Sequence, residues 1–241
     1  MTATSYGVRT KGTWPRPVLL THGWGRALAR PWNDDVAAAT VRLERGGAKF
    51  LAEVTSVVGQ WSKPVLSPAV LPHRVELWKQ AGYEVAESLL LFEHDLRDLS
   101  RPEIEVERTN GLEDLNLLDR EAFPPRWRMG RAGLRESLEA TPRHIVYRVC
   151  DEGGLAGFAI AGVGLGIAYL QRLAVAPRVE GRGVGRSLVA ASQLWARRQG
   201  AGSLLVNTQL TNARAAALYE RCGFRPVSGG LAVLGAFGTD F

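Results

Sequence analysis

The sequence predicts an α/β (α+β) protein, in which strands and helices alternate irregularly along the chain. Asp151-Glu-Gly-Gly154 lies between two apolar runs and predicts a β-hairpin. A strand predicted over Ile167–Val175 leads into a glycine-rich turn and then an apolar helix, Arg186–Arg198. Thr211-Asn212 precedes a further helix that Gly223 ends, because asparagine caps helix starts and glycine often follows helix ends.

From Glu103 onward, the predicted elements follow the order β-α-α-β-β-β-α-β-α-β-β. Alternating apolar residues predict the first strand over Glu103–Arg108. Leucines at helical spacing predict the first helix, which Phe123-Pro-Pro125 ends because proline cannot continue a helix. A second short helix is predicted over Arg131–Leu138, and a flexible connection over Gly162–Gly166. The other predicted strands are Ile145–Cys150, Leu155–Ala161, Ser203–Asn207, Phe224–Val227 and Leu231–Phe237.

The composition is that of a globular protein that can bury a core, with 46% apolar and 22% charged residues. No apolar run reaches the roughly 18–20 residues that a membrane span needs. Met1–Thr10 is polar and lacks the apolar core of a signal peptide, so we expect a cytoplasmic protein. Cys150 and Cys222 are too few for a disulfide framework or a zinc cluster, so no metal is predicted and both are expected to be buried thiols.

The chain is basic, with a net charge of +6 and a pI near 9.7. This charge indicates a nucleic acid partner, a site for a polyphosphate ligand, or simply a solvated basic surface. The basic residues are dispersed, and neither zinc-finger spacing nor an aromatic RNA-binding signature is present. Nucleic acid is therefore not the expected partner.

The glycine-rich turn is typical of phosphate binding. Its glycines, Gly181, Gly183 and Gly185, let the backbone approach an anion, and the following helix N-terminus adds a favourable dipole. A Walker loop would need a Gly-Lys-Ser/Thr sequence, and the segment has no lysine. A Rossmann loop would need an acidic residue at the end of the next strand, which here ends in Asn207-Thr-Gln.

Two segments resemble the signatures of the GNAT superfamily of acetyl-CoA-dependent N-acetyltransferases. Leu170–Val189 is similar to the acyl-CoA-binding motif, and Asn212–Phe224 is similar to the second signature, Asn-x-x-Ala…Leu-Tyr-x-x-x-Gly-Phe. The resemblance runs from about Glu103 to Phe237. It implies a central mixed, mostly antiparallel, V-splayed sheet flanked by helices, with acetyl-CoA as acyl donor and an amine as acceptor.

The resemblance also implies a role for particular residues. Backbone N–H groups of Arg182–Arg186 would hold the CoA pyrophosphate, and those near the end of the preceding strand would hold the pantetheine arm and the thioester. An N–H near Val175 would stabilise the oxyanion, and Tyr219 would protonate the leaving thiolate. The residues assigned to acetyl-CoA are Leu173, Ala174, Val175, Glu180, Gly181, Arg182, Gly183, Val184, Gly185, Arg186, Asn212 and Tyr219.

Several of these assignments have simpler alternatives. Tyr219 could be a core aromatic, Asn212 could be only a helix cap, and Arg182 and Arg186 could be solvated. Glu180 stands where relatives usually have Gln or Arg, which is unfavourable near phosphate unless it faces solvent or pairs with Arg178 or Arg182.

The general base is the main departure from the family pattern. The positions at which many relatives carry a glutamate hold Tyr169, Gln171 and Asn207, none of them acidic. The base would then be Glu121 or ordered water, although a surface carboxylate at a helix end is the simpler interpretation of Glu121.

The segment Glu121–Trp127 lies between the first two predicted helices, where the family builds its acceptor site, and it resembles the Phe-Pro loop of acetyltransferases that modify protein N-termini. Phe123 and Trp127 could line the acceptor pocket or simply pack the turn.

We place a domain boundary in Leu99–Glu103, giving a first domain over 1–100 and a catalytic domain over 101–241. Val75–Tyr83 parallels Ala216–Phe224, with Trp78 where Tyr219 stands, and strands are predicted at Lys63–Val70 and Ser88–His94. The first domain is therefore interpreted as a shortened, degenerate GNAT-like half in a tandem arrangement, or as an accessory domain whose likeness is a chance helix ending. It has no glycine-rich loop and is not expected to bind CoA.

The leading hypothesis is an N-acetyltransferase whose amine, from a small molecule or a protein, attacks the thioester directly in a ternary complex. The alternatives are a catalytically inactive acyl-CoA-binding regulatory module and a basic nucleic-acid-binding protein. A homodimer is a further expectation.

Overall fold

The computed structural model describes residues 7–239, which form two compact units. Among the described residues, the first unit comprises 7–89 and 229–239, and the second comprises Leu90–Ser228. The first six residues of the polar N-terminal segment lie outside the described residues. No helix within residues 7–239 combines the length and the apolar character needed to cross a membrane.

The first unit is built on short strands and two helices. Its elements are β1 (Arg9–Lys11), β2 (Val18–His22), β3 (Gly25–Pro31), β4 (Ala39–Arg45), α1 (Ala48–Val58), β5 (Val65–Leu66), α2 (Pro72–Gln80) and the start of β6 (Glu84–His94). β1 to β4 pair in sequence order and antiparallel, whereas β4 and β5 pair in parallel. Helix α1 crosses from β4 to β5 and buries Phe50, Leu51 and Val54 in the core of this unit.

The second unit carries the segments that the sequence analysis singled out. Its elements are the end of β6, β7 (Glu107–Arg108), α3 (Glu113–Ala122), α4 (Gly130–Glu139), β8 (Arg143–Asp151), β9 (Gly154–Gly164), β10 (Ile167–Val175), α5 (Val184–Arg198), β11 (Ser203–Gln209), α6 (Ala213–Arg221) and the start of β12 (Arg225–Ala236). β7 to β10 pair antiparallel in sequence order, and β10 and β11 pair in parallel. This is the mixed, mostly antiparallel sheet flanked by helices that the sequence predicted.

Helix α5 covers one face of this sheet through close backbone contact. A Cβ added to Gly157 on β9 would lie 2.7 Å from Val184 and 3.0 Å from Leu188 of α5. Small residues on β9 therefore let the helix approach, and Leu188 is fully buried in the core of the unit. The first turn of α5 is thereby fixed beside the end of β10.

Gly162 on β9 is required by the packing of its neighbours. A Cβ there would lie 2.0 Å from the Thr141 hydroxyl oxygen and 2.8 Å from the Gln171 amide nitrogen. Gly162→Ala is expected to lower the free energy of unfolding by about 1–3 kcal/mol, because overpacking displaces these side chains. Gly164→Ala is the matched control on the same strand, since its Cβ would have 3.4 Å to Pro142. Urea denaturation of both variants tests this, and equal stability of the two would contradict it.

The structure corrects several predicted elements. The two strands predicted over residues 224–237 are one strand, β12. Gly162–Gly164 belongs to β9, and only Leu165 and Gly166 form the turn, with φ of 52° and 78°. The strand predicted over Glu103–Arg108 is shortened to β7, because the N–H groups of Glu103 and Ile104 donate to the Ser187 hydroxyl instead of a strand. β1 to β4 and α1 were not predicted. Cys150 is exposed, so the prediction of a buried thiol is wrong for this residue.

The two units also differ from the predicted domain limits. They divide at Leu89, before the predicted boundary, and the first unit includes the C-terminal segment from Gly229. The end of β12 pairs antiparallel with β5, and the Leu234 N–H donates to the Ser67 hydroxyl over 2.8 Å. These bonds tie the C-terminal strand to the first unit.

Candidate active site

The second unit has a slot between two strands that start as neighbours and then separate. β10 and β11 are paired only from Ile167 to Tyr169, opposite Ser203 to Leu205. Both strands continue beyond this pairing, β10 to Val175 and β11 to Gln209. After Tyr169, the residues of β10 remain hydrogen-bonded to β9 but are no longer paired with β11. One edge of β10 is therefore open.

Two backbone N–H groups of β10 point to that open edge. The Ala176 N–H donates to the Ala156 carbonyl on β9 over 2.9 Å. Because successive residues of a strand present their N–H groups to opposite edges, those of Leu173 and Val175 face the slot. The Ala174 N–H faces β9, so this predicted contact residue offers no backbone donor to a ligand in the slot.

The glycine-rich turn has the backbone geometry of an anion cradle. Gly181 and Gly183 have φ of 77° and 87°, values that L side chains rarely adopt. No atom lies within 4 Å of a Cβ placed on Gly181, so the space beside the turn is open. The first intrahelical bond of α5 comes from Ser187 to Gly183, which leaves the N–H groups of the first helical turn directed outward.

The donors available at this turn differ slightly from those predicted. α5 has no side-chain cap, so the N–H groups of Val184, Gly185 and Arg186 have no partner within the helix. The Arg182 N–H instead donates to the Val179 carbonyl over 3.2 Å and closes the turn. The predicted cradle therefore consists of three helix N–H groups, with Arg182 contributing its exposed side chain.

Glu180, the acidic residue at the start of the turn, is paired with a partner that the sequence did not indicate. Its carboxylate binds Arg214 on α6, whereas Arg178 binds Asp151 over 2.6 Å. Arg186 is paired with Glu103. These ion pairs are exposed and contribute little stability. The pair with Arg214 neutralises Glu180 beside the turn. A phosphate could replace Glu103 as the partner of Arg186.

Three elements meet at the mouth of the slot. A Cβ on Gly185 would lie 3.1 Å from Leu218 of α6 and 3.5 Å from Val175 at the end of β10. The strand end, the first turn of α5 and helix α6 are thus adjacent, as the two predicted signatures require. Asn212 caps α6 by accepting a hydrogen bond from the Ala215 N–H over 3.0 Å.

Tyr219 on α6 is buried in an aromatic cluster. Its ring lies 5.9 Å from that of Phe92 and 5.7 Å from that of Phe224, and 5% of its surface is exposed. Burial raises the pKa of the Tyr219 hydroxyl well above its usual range, and the Arg172 charge opposes this effect. The hydroxyl therefore stays protonated at neutral pH, and no described residue forms a hydrogen bond with it.

The residues considered as a general base differ in their exposure. Glu121 is exposed near the end of α3. Asp151 is the main cause that raises the pKa of Arg178, and Glu121 adds a smaller charge effect there. Of the three positions where relatives carry a base, Tyr169 and Asn207 are exposed, and Gln171 is half-buried. Within residues 7–239, no three His, Cys, Asp or Glu side chains are grouped to hold a metal ion.

Comparison with known proteins identifies the family of the matched segment. A model described as the Acetyltransferase (GNAT) family matches residues 112–224, which contain the slot, the glycine-rich turn and Tyr219. Residues 112–224 form a GNAT acetyltransferase domain.

Two curated relatives show the range of acceptors on similar sequences. The chain is 34% identical over 82 residues to the ribosomal protein bS18-alanine N-acetyltransferase of Escherichia coli (strain K12), covering 34% of this chain and 55% of the relative. It is 30% identical over 97 residues to the aminoglycoside N(6')-acetyltransferase type 1 of Klebsiella aerogenes, covering 37% and 64%. The chain thus spans less than two thirds of the length of either relative.

The fold of the whole chain also has solved counterparts. A tandem GNAT protein from the clavulanic acid biosynthesis pathway superposes with a TM-score of 0.65 at 14% identity, covering 96% of this chain and 83% of the other. At this identity the likeness concerns the fold alone.

The GNAT domain contains a buried ion pair that the sequence analysis missed. Arg172 on β10 donates from Nε to the Asp119 carboxylate over 2.7 Å, and Asp119 is fully buried on α3. A signal was present, because Asp119 stands on the apolar face of α3 at helical spacing from Leu115 and Ala122. A carboxylate at such a position needs a buried cation as partner.

Proposed function

We propose that the chain transfers an acetyl group from acetyl-CoA to an amine, which attacks the thioester directly in a ternary complex. The observation that carries this proposal is the open edge of β10, where the Leu173 and Val175 N–H groups have lost β11 as a partner. Such backbone donors need an acceptor, which is water in the empty slot and the ligand in the filled one. The pantetheine arm, which carries amide groups, supplies acceptors of the right kind.

The chemistry assigned to each residue follows from its position. The N–H groups of Val184, Gly185 and Arg186 bind the pyrophosphate at the positive end of α5. The Val175 N–H stabilises the tetrahedral oxyanion, which forms when the amine adds to the thioester carbonyl. Tyr219 donates its proton to the departing CoA thiolate, and the Arg172 charge favours this transfer because it lowers the pKa of the hydroxyl against the effect of burial.

The amine must also lose a proton. The exposed Glu121 carboxylate stays our prediction for the base, either directly or through water, because the family's usual positions hold Tyr169, Gln171 and Asn207. The acceptors of the two curated relatives, a protein N-terminal alanine and an aminoglycoside, define the classes that we propose to test first.

The test is the release of CoA thiol from acetyl-CoA in the presence of single amines. The panel contains an N-terminal alanine peptide, an aminoglycoside and free amino acids, with acetyl-CoA binding measured by calorimetry on the same protein. Amine-dependent thiol release supports the proposal. Tight binding without turnover for every amine would instead favour the catalytically inactive acyl-CoA-binding module.

We also propose that the first unit is a degenerate GNAT-like half. In both units an antiparallel series of strands ends in a parallel pair joined by a helix, β4-α1-β5 and β10-α5-β11. The endings of α2 and α6 also match. Gly82 and Gly223 have φ of 89° and 84°, and the next aromatic N–H donates to the carbonyl of Trp78 or Tyr219. The fold likeness to a tandem GNAT protein over 96% of this chain supports the proposal.

This half is not proposed to bind CoA. The turn between β4 and α1 is only Gly46-Gly47, and a Cβ on Gly46 would lie 2.5 Å from the Phe50 ring. That ring occupies the position where a phosphate cradle would need open space. Calorimetry should therefore give one acetyl-CoA per chain, and two would contradict this assignment. A cytoplasmic location and a homodimer stay predictions.

A further inference from the structure

The Arg172 guanidinium connects β10 to helix α3 and to the segment between α3 and α4. Nε binds the Asp119 carboxylate over 2.7 Å, and a terminal nitrogen donates to the Trp127 carbonyl over 2.8 Å. The guanidinium carbon also lies 3.5 Å from the centre of the Phe123 ring. One side chain therefore contacts the end of a helix, an aromatic ring and the backbone of the connecting segment.

Asp119 extends this network to the next helix. Its second oxygen accepts from the Met129 N–H over 2.8 Å, directly before α4 begins. The Asp119 side chain is 0% exposed and that of Arg172 is 10% exposed, so both charges are removed from water. A buried pair of this kind fixes geometry, because either charge is strongly destabilising without its partner.

The position of Arg172 relates this network to the proposed chemistry. Arg172 immediately precedes Leu173, whose N–H faces the slot, and it follows the bulge between Leu170 and Arg172. Its charge also acts on Tyr219 and opposes the effect of burial on that hydroxyl. The same side chain thus lies beside the thioester strand and holds the segment over 123–129.

We propose that Arg172 is a positioning residue that sets the 123–129 segment, as the acceptor side of the site, against the thioester strand β10. This inference rests on the proposed acetyl transfer and deepens it. Because a displacement of about 1 Å can cost roughly 100-fold in rate, a rigid link between acceptor and thioester has a large effect on transfer. Asp119 completes this connection, because it accepts hydrogen bonds from both Arg172 and the Met129 N–H.

The test compares Arg172→Lys with the paired variant Arg172→Met/Asp119→Asn. Lysine keeps the charge but cannot bind the Asp119 carboxylate and the Trp127 carbonyl with a planar fork. The paired variant removes both charges, so neither is left buried alone. Arg131→Lys is the matched control, since Arg131 forms an exposed pair with Glu113 that also joins α3 and α4.

For Arg172→Lys we expect the KM of the amine to rise by roughly 10- to 100-fold, with the Kd of CoA unchanged. Amide hydrogen exchange over residues 123–129 should accelerate in both Arg172 variants and not in the control. The paired variant should also lose kcat, because the charge beside Tyr219 is gone.

An unchanged amine KM, or unchanged exchange in that segment, would overturn the inference. So would a joint loss of CoA binding and amine affinity, which indicates a general loss of structure. If the wild-type chain shows no turnover, the proposed function fails, and the exchange and CoA-binding measurements still decide whether Arg172 holds the segment.

Discussion

Gly183→Asp is expected to lower the affinity for acetyl-CoA by on the order of 100-fold or more. The substitution places a carboxylate at the N-terminus of α5, where the proposed pyrophosphate would meet it, and strains a backbone with φ of 87°. Charge-assisted hydrogen bonds contribute about 1.5–3 kcal/mol each, so the loss of two accounts for this change. Isothermal titration with acetyl-CoA measures it.

Gly200→Asp is the matched control for this variant. Gly200 follows the other end of α5, has φ of 78°, and has no atom within 4 Å of a Cβ position. Both variants therefore carry the same backbone strain and the same new charge, and they differ in distance from the turn. Equal affinities of the two for acetyl-CoA would rule out the glycine-rich turn as the phosphate site.

Tyr219→Phe is expected to lower kcat by roughly 100-fold or more, which is the usual contribution of a general acid. The KM for acetyl-CoA and the free energy of unfolding should change little. The hydroxyl forms no hydrogen bond with a described residue, and the ring contacts with Phe92 and Phe224 are kept. Steady-state kinetics and urea denaturation measure the two effects.

Tyr83→Phe provides the contrast, because its buried hydroxyl is hydrogen-bonded to Thr55 over 2.7 Å in the first unit. This variant should lose about 1 kcal/mol of stability and keep its kcat. Unchanged kcat in Tyr219→Phe would show that Tyr219 is only a core aromatic.

The pH dependence of stability follows from the same two tyrosines. Burial raises the pKa of both Tyr83 and Tyr219 above the ordinary value of 10.0. The folded state thus favours the protonated hydroxyls, so their stabilisation is complete below pH 10 and is lost as the pH rises further. Replacing either tyrosine by phenylalanine should flatten this alkaline loss, which denaturation at several pH values would show.

Much of the GNAT domain could be predicted from its sequence, because its signals are local. The limits of β10, the hairpin at Asp151–Gly154 and the cap at Asn212 each depend on a few neighbouring residues, and the structure has them as predicted. The glycine-rich turn could also be predicted from the sequence, since only glycine adopts the φ found at Gly181 and Gly183 without strain.

The first unit was harder to predict. Its strands β1 to β4 are short, and their pairing depends on residues far apart in the chain. The two strands predicted over 224–237 are one strand, β12, which runs through Gly229 and Gly230 although such glycines usually mark turns. Glycine permits the positive φ values found here, but it does not by itself end the strand.

The sequence by itself determined the strand, the glycine-rich turn and the helix with Tyr219, which we propose to form the acyl-CoA half of the site. Only the tertiary structure decided which N–H groups of β10 are free, which partner neutralises Glu180, and that Arg172 and Asp119 form a buried pair. The physical reason is the range of the interactions. Backbone conformation is set within a few residues, whereas hydrogen bonds and ion pairs between distant segments exist only once the chain has folded.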